Sequence, residues 1–427
     1  MSPSSLGELY NREVTFARNF RTLCVGAALI CGVASIPTPV SAVEATTDEI
    51  VWLPCGQIEC GRISVPVKKG LDSKRFVLSL YRRKAVTGSR PRTLLLLPDR
   101  EFGSDARTLT ENAVLTFGTA ITEFNVISVA PRGAVDAVMP MGNETKIGTL
   151  DMADDLETVR EALNVNKASI MGWGSGATAA AALIMQSPTT VQAAVLDTPV
   201  DPSTSLVKQA PQHIAATTLG VETAMRWCAS HLSCPMNANV AKELDLLKTK
   251  IRLARVDPAI TYVAVARAAV RTIVVGNAQE LFTAITAANN KNSQPLLALI
   301  GSAPTAVNAY GRCADVSRTD AKRIAKAHAA VKPYKFTIGS EAALYALCAQ
   351  ISESARPLGS IKPAGPAKGA RVLVNIARGD QVTAPSVTRT MAKKMKWTYA
   401  PVYANRHLVV GYDNATSVAA MKFLVAK

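Results

Sequence analysis

The sequence predicts an α/β protein whose mostly parallel sheet carries helices on both faces. The first observation is a set of continuous apolar runs of strand length, typical of strands buried on both faces, at 93–98, 125–130, 168–171 and 191–196. The second is a helical spacing of apolar residues across 148–163, between two of these runs. Strand-like and helix-like segments alternate again at the end of the chain, at 371–376, 386–395, 398–403 and 415–425.

Two further segments complete the predicted organisation. Residues 63–66 and 76–81 indicate a β-hairpin, because β-branched and apolar runs flank a polar, glycine-containing stretch. Residues 203–367 are rich in Ala, Lys and Arg with helical periodicity, which predicts a helical cap inserted into the sheet-forming core. A Pro- and Gly-rich link then returns the chain to the core. The expected domains are core 43–202, cap 203–367 and core 368–427.

The first 42 residues have the pattern of a secretory signal peptide. Three arginines precede an apolar run at 22–36, and small residues end the segment at Ala42, after which cleavage is expected. A retained membrane anchor is the alternative, but the run is shorter than the roughly 20 residues that a spanning helix needs. The segment therefore predicts a secreted or cell-envelope protein.

Six cysteines follow the signal segment, and an even number in an exported chain favours disulfides. Proximity along the chain favours the pairs Cys55–Cys60, Cys228–Cys234 and Cys313–Cys348. Zinc ligation is the competing interpretation, and the exported context favours disulfides over it. We therefore expect disulfides and no metal.

The net charge of +16 favours anionic partners such as envelope polymers or phospholipid headgroups. Nucleic acid is not expected, because export removes the opportunity and aromatic residues make up only 5% of the chain. A solvated basic surface without a particular partner is the simplest alternative.

The stretch 169–182 has the layout of a nucleophile elbow, with a short apolar strand, the turn G-W-G-S-G and an alanine-rich helix. Such a turn needs small residues two before and two after the nucleophile, because it brings backbone segments into contact. Gly172 and Gly176 meet this need around Gly174. Centring the turn on Ser175 would put a tryptophan at a crowded position. The expected nucleophile position therefore carries no side chain.

Several fragments, in order along the chain, resemble the secreted tripeptidyl aminopeptidase-like branch of the α/β-hydrolases, known from actinobacteria. They are C-G-Q-I-E-C-G-R-I-S-V-P-V from Cys55, L-S-L-Y-R-R-K-A from Leu78, A-P-R-G from Ala130, D-M-A-D-D-L-E from Asp151 and V-L-D-T-P-V-D-P from Val195. The resemblance implies an α/β-hydrolase fold with a helical cap, and it supports the cysteine pairing given above.

The resemblance also implies an acid and a base for catalysis. The family's acid follows the seventh strand, where G-D-Q-V-T-A-P contains Asp380, and its histidine follows the eighth strand, where A-N-R-H-L contains His407. In a working triad the acid orients the imidazole, which takes the proton of a serine. The order nucleophile, acid, histidine is that of the α/β-hydrolases.

Two catalytic parts of the family depart from its pattern. Its glycine-rich oxyanion loop is replaced by Asp99, Arg100, Glu101 and Phe102, and the nucleophile position is Gly174. Carboxylates beside a developing oxyanion would repel it, and losing one oxyanion donor already costs about 10²- to 10³-fold in rate.

These departures favour a non-catalytic relative, a hydrolase scaffold used for binding or for assembly at the cell envelope. Its ligand, a peptide or acyl group, would occupy the crevice between cap and sheet, widened at Gly174 by the missing side chain. The alternative is an active serine hydrolase, an aminopeptidase or esterase, that uses Ser175, Asp380 and His407. Neither hypothesis calls for a cofactor.

Overall fold

One mixed sheet organises the molecule. The structure is a computed structural model and describes residues 49–68, 71–86, 91–134, 146–301, 311–330, 344–350, 356–363 and 369–426. Within these residues nine strands form the sheet: β1 (Val51–Cys55), β2 (Ile58–Lys68), β3 (Leu71–Arg83), β4 (Arg92–Leu97), β5 (Phe124–Val129), β6 (Ala168–Trp173), β7 (Val191–Asp197), β8 (Arg371–Ala377) and β9 (Thr398–Val402). The proposed signal peptide lies outside the described residues.

The strand order is β1-β2-β3-β5-β4-β6-β7-β8-β9. The pairs among β1, β2, β3 and β5 are antiparallel, and every pair from β5 through β4 to β9 is parallel. Strands β4 and β5 exchange places relative to the chain, so the sheet grows on both sides of β4. This arrangement confirms the predicted mostly parallel α/β sheet.

Helices flank the sheet and fill the region between β7 and β8. Those on the sheet-forming part are α1 (Ala106–Glu111), α2 (Ala113–Phe117), α3 (Thr149–Ala162), α4 (Gly174–Gln186), α11 (Pro385–Met395) and α12 (Asn414–Val425). Those between β7 and β8 are α5 (Leu206–Ser230), α6 (Val240–Arg252), α7 (Tyr262–Val274), α8 (Ala278–Asn289), α9 (Gln294–Gly301) and α10 (Arg318–Ala330). Among the described helices, none is long and apolar enough to cross a membrane.

Strand β4 shows why the apolar runs become central strands. Successive side chains of a strand point to opposite faces, so a strand covered on both sides is apolar throughout. Leu95 and Leu97 pack in the core layer that contains α3 and α4, whereas Leu94 and Leu96 pack in the layer that contains α2 and α12. Both faces of the sheet are therefore closed by helices.

The amino-terminal edge differs from expectation. The hairpin of β2 and β3 extends into the stretch predicted as its loop, and β1 was not predicted. Strand β1 lies at the sheet edge with its side chains mostly exposed, so it lacks the apolar alternation by which strands are found in sequences. Helices α1 and α2 also escaped prediction, because elements of six and five residues carry too little periodicity.

The predicted cysteine pairing is confirmed in the described part of the chain. Disulfides join Cys55 to Cys60, Cys228 to Cys234, and Cys313 to Cys348. The first closes the turn between β1 and β2, and the second closes the turn that follows α5. All of them connect segments close in sequence, except the third, which spans 35 residues.

Candidate active site

The site is built on a sharp turn between β6 and α4. Gly174 has φ of +49°, in the left-handed region that disfavours residues with a side chain. A Cβ atom on Gly172 would lie 2.7 Å from the backbone nitrogen of Ala177, and one on Gly176 would overlap the carbonyl of Leu97. The crowding falls two residues before and two after Gly174. The turn is therefore a nucleophile elbow centred on a glycine.

The space for a nucleophile at Gly174 is filled by Asp99, which follows β4. A Cβ atom built on Gly174 would overlap Asp99 Oδ2 and would lie 2.8 Å from Asp99 Cγ and 3.0 Å from His407 Nε2. The expected free space at Gly174 is therefore absent. A carboxylate from a neighbouring loop stands where the missing side chain would begin.

Three backbone N–H groups hold the Asp99 carboxylate. Its Oδ2 accepts from Ser175 N at 2.7 Å, and its Oδ1 accepts from Glu101 N at 2.8 Å and Phe102 N at 2.7 Å. The N–H of the residue after the nucleophile is an oxyanion donor in α/β-hydrolases. The sequence suggested that Asp99 lies beside the oxyanion site and would repel a developing oxyanion. The structure differs. Asp99 occupies that site.

Asp380 and His407 form the acid–histidine pair predicted from the sequence. His407 Nδ1 lies 2.8 Å from Asp380 Oδ2, and both side chains are buried. Asp380 Oδ1 accepts from the N–H groups of Val382 and Thr383, which fixes the carboxylate in the loop after β8. Nε2 of His407 therefore faces the elbow.

The carboxylates around His407 set its protonation. Burial by itself lowers the pKa of an imidazole, but the negative charges of Asp380, Asp99 and Asp197 outweigh it and raise the pKa of His407 above its usual value. The site therefore favours an imidazolium placed between Asp380 and Asp99, more than an ordinary histidine would.

Asp197, at the end of β7, holds the loop that carries His407. Its Oδ2 accepts from Val409 N at 2.8 Å and Val410 N at 2.9 Å. Full burial raises the pKa of Asp197 to about 7, although these two N–H donors oppose the shift. Thr198 adds a weaker contact, with its hydroxyl 3.3 Å from His407 Nδ1.

Ser175 lies beside the dyad but is engaged elsewhere. Its Oγ accepts from the backbone N–H of Arg100 at 2.8 Å. Among the hydrogen bonds of the described residues, none joins Ser175 Oγ to His407. The structure brings Asp380, His407 and Asp99 together around Gly174, and it directs the serine hydroxyl toward the loop after β4.

The loop that replaces a glycine-rich oxyanion loop is anchored to the helical region. Glu101 forms a two-pronged ion pair with Arg312, in which Arg312 Nη2 lies 2.8 Å from Oε2. Arg100 Nη2 donates to Ile147 O at 2.7 Å. Phe102 is buried and meets the His407 ring edge-to-face at 5.6 Å between centroids. These contacts fix the loop that positions Asp99.

A cavity of about 160 Å³ opens onto these groups. It is lined by Asp99, Gly174 and His407, and by His328 and Tyr345 from the helical region. Within the described residues, no group of three or more His, Cys, Asp or Glu side chains is arranged to hold a metal ion. The site is a partly apolar cavity that exposes His407 and the Asp99 carboxylate to a ligand, with Asp380 buried behind the histidine.

Sequence reasoning singled out Gly174, Asp380 and His407, which the structure brings together, but it missed the contacts that Asp99 and Asp197 make there. Asp99 was visible only as a departure from a glycine-rich loop. The signal that could have found it is the combination of a side chain lost at Gly174 and a carboxylate gained in the loop after β4, the strand next to β6.

The sheet topology, the elbow and the acid–histidine pair define the class: the chain has an α/β-hydrolase fold. No family model matches it. It is similar to the serine protease Hip1 of Mycobacterium bovis and of Mycobacterium tuberculosis, at 23% identity over 256 residues, with 46% of this chain and 48% of the relative covered. The chain thus spans about half the length of the curated relatives it matches.

Among solved structures, it is similar to a "probable hydrolytic enzyme" from Pseudomonas aeruginosa PAO1, with a TM-score of 0.44, 11% identity, and 86% of this chain and 94% of that chain covered. The carboxylesterase CesB from Bacillus subtilis gives a TM-score of 0.41 and 10% identity, with 86% of this chain and 92% of that chain covered.

Proposed function

We propose that this protein is a tripeptidyl aminopeptidase-like relative that does not carry out serine-type acyl transfer and uses its cavity to bind a peptide or acyl ligand. The observation that carries the proposal is the Asp99 carboxylate in the place of the nucleophile. Acyl transfer needs a nucleophile at the elbow and free N–H donors for the oxyanion. Gly174 supplies no nucleophile, and Asp99 takes the N–H of Ser175.

The alternative nucleophile, Ser175, is poorly placed for this chemistry. A serine acts as nucleophile when a histidine takes its proton, which requires a hydrogen bond between the two side chains. Ser175 Oγ instead accepts a hydrogen bond from Arg100 N.

Restoring the missing parts tests the proposal. We expect a fluorophosphonate probe to leave the wild-type protein and the Gly174→Ser variant unlabelled, because Asp99 overlaps any side chain at position 174. The double variant Gly174→Ser with Asp99→Gly frees both the space and the Ser175 N–H, so we expect labelling at position 174, measured by intact mass and peptide mapping.

Adding His407→Gln to the double variant supplies the matched control, since it removes the base and should lower labelling by about 10²-fold or more. Wild-type labelling that disappears in Ser175→Ala would overturn the proposal and establish the serine hydrolase alternative.

We also propose that the protein is exported and works at the cell envelope. The amino-terminal pattern of basic, apolar and small residues supports export. The disulfides support it too, because such bonds form and persist in oxidising compartments. The basic net charge supports an anionic envelope component as a partner. Fractionation of cells that express the full chain, followed by amino-terminal sequencing, would test export and cleavage after Ala42.

A further inference from the structure

We propose that Asp99 is a carboxylate nucleophile that opens small epoxides in the cavity. The proposal goes beyond the proposed function and shares one observation with it, the missing side chain at Gly174. It assigns a reaction to the group that has taken the nucleophile's position.

The position of Asp99 is the first argument. Asp99 Oδ2 would overlap a Cβ atom built on Gly174, and His407 Nε2 lies 3.0 Å from the position of that Cβ atom. A serine hydroxyl at an elbow would stand beside the same histidine. Asp99, Gly174 and His407 all line the cavity. A ligand in the cavity therefore meets a carboxylate oxygen where a serine hydrolase presents its hydroxyl.

The hydrogen bonds of Asp99 decide what kind of carbon it can attack. Attack on an ester carbonyl would create an oxyanion on the substrate, but the N–H groups of Ser175, Glu101 and Phe102 already bind the carboxylate. Such an attack would also yield an acid anhydride, which is less stable than the ester. Attack on a saturated carbon needs no oxyanion donor on the substrate. It needs a leaving group, and a strained epoxide ring supplies one.

The first step forms an ester on Asp99. Oδ2 attacks a ring carbon, a new Oδ2–C bond forms, and the ring C–O bond breaks. The electron pair of the broken bond goes to the ring oxygen, which takes the proton of the His407 imidazolium. The products are a 2-hydroxyalkyl ester of Asp99 and a neutral His407, and no oxidant or reductant is involved.

The second step returns the carboxylate. Neutral His407 takes one proton from a water molecule whose oxygen attacks Asp99 Cγ, and the resulting oxyanion on Oδ1 lies against the N–H groups of Glu101 and Phe102. The Cγ–Oδ2 bond then breaks, and Oδ2 leaves with the alkyl group and takes the second proton of the water. The net reaction is addition of water to the epoxide, giving a diol, with one water oxygen left on Asp99.

Isotope labelling tests this directly on the full-length protein. We expect that turnover of 1,2-epoxybutane in water enriched in ¹⁸O places ¹⁸O in the peptide that contains Asp99, and that an acid quench captures the mass of one epoxide on the same residue. The Asp99→Asn variant should lose diol formation by at least about 10²-fold, as should His407→Gln. The Asp105→Asn variant is the matched control, because this exposed carboxylate caps α1 and Asn caps helices equally well.

The wild-type peptide map decides the outcome even if a variant folds poorly. Label on Asp99 alone supports the proposal. Three results would overturn it. The first is equal label on Asp105 or on other exposed carboxylates, and the second is label on His407. The third is a folded wild-type protein that forms neither diol nor modified Asp99. The last result would leave the proposed function intact, whereas fluorophosphonate labelling of the wild-type serine would overturn that function and not this reaction.

Discussion

At the scale of single residues, the site depends on two positions in neighbouring loops, one that lacks a side chain and one whose carboxylate fills the resulting space. We call this arrangement the exchange. Gly174 contributes no side chain, and Asp99 contributes a carboxylate that enters the vacated volume. The turn still needs the positive φ at position 174, so a glycine satisfies its backbone without strain. The exchange therefore keeps the elbow and changes the group that it presents.

The Gly174→Ala variant should measure how tightly the exchange is packed. We expect it to lower the free energy of unfolding by about 2–4 kcal/mol, from a strained φ and from displacement of Asp99. Gly56→Ala is the matched control, since Gly56 has φ of +76° and no atom lies within 4 Å of the position that its Cβ would take. Only the backbone cost of about 1 kcal/mol then applies. Equal losses in urea denaturation would contradict the steric overlap.

Asp99 should also be detectable through the titration of His407. The raised pKa of His407 depends partly on the negative charge of Asp99. We therefore expect Asp99→Asn to lower the pKa of His407, and Asp105→Asn to leave it unchanged. The chain has four histidines, so NMR titration of the imidazole protons can follow each one. If the pKa of His407 did not change in Asp99→Asn, the carboxylate of Asp99 would not act on the histidine, and the prediction would be wrong.

At the scale of elements, the carboxyl ends of neighbouring parallel strands converge on the site. Asp99 follows β4, Gly174 follows β6, Asp197 ends β7, and Asp380 follows β8. Parallel strands deliver such residues to one edge of the sheet, where ligands bind in open α/β sheets. Asp197 completes the arrangement by joining β7 to the loop after β9.

Asp197 should make stability depend on pH. Its pKa is raised to about 7 by burial, from 3.8, so between about pH 4 and 7 the unfolded chain is ionised while the folded chain keeps the proton. The free energy of unfolding should therefore fall as pH rises through this window. His407, whose folded pKa is raised, adds stability at low pH that is lost as pH rises through that pKa.

The Asp197→Asn variant isolates the carboxyl group. The asparagine does not titrate, and it retains an oxygen for the N–H groups of Val409 and Val410. Between pH 4 and 7 we therefore expect the unfolding free energy of the variant to fall by about 1–4 kcal/mol less than that of the wild type. Urea denaturation at a series of pH values measures it, with exposed Asp257→Asn as control. An unchanged slope in Asp197→Asn would contradict the prediction.

At the scale of the whole molecule, the charge is the dominant property. A net charge of +16 creates a field that attracts anionic surfaces, and salt screens it beyond about 8 Å at physiological ionic strength. We therefore expect the protein to bind vesicles rich in anionic phospholipid at low salt and to release them as salt rises, with neutral vesicles as control. Binding that is insensitive to salt in a sedimentation assay would count against an electrostatic partner.

The whole-molecule arrangement also sets the limits of sequence reasoning. Apolar runs, helical spacing and turn glycines are local signals, so the strands, α3, α4 and the elbow at Gly174 followed from the sequence. Asp380 and His407 were implied by the resemblance to the tripeptidyl aminopeptidase-like hydrolases. Short or exposed elements such as β1 carry no such signal.

The sequence by itself determined the alternating strands and helices of the α/β sheet and the glycine at the elbow, because both are written in neighbouring residues. The pair of Asp380 and His407 was implied by the resemblance to known hydrolases. Only the tertiary structure decided what fills the nucleophile position. Asp99 and Ser175 are 76 residues apart, and their contact depends on the pairing of β4 with β6. Packing across a sheet is not encoded in local periodicity, so the carboxylate that takes the place of the nucleophile became visible only in the folded chain.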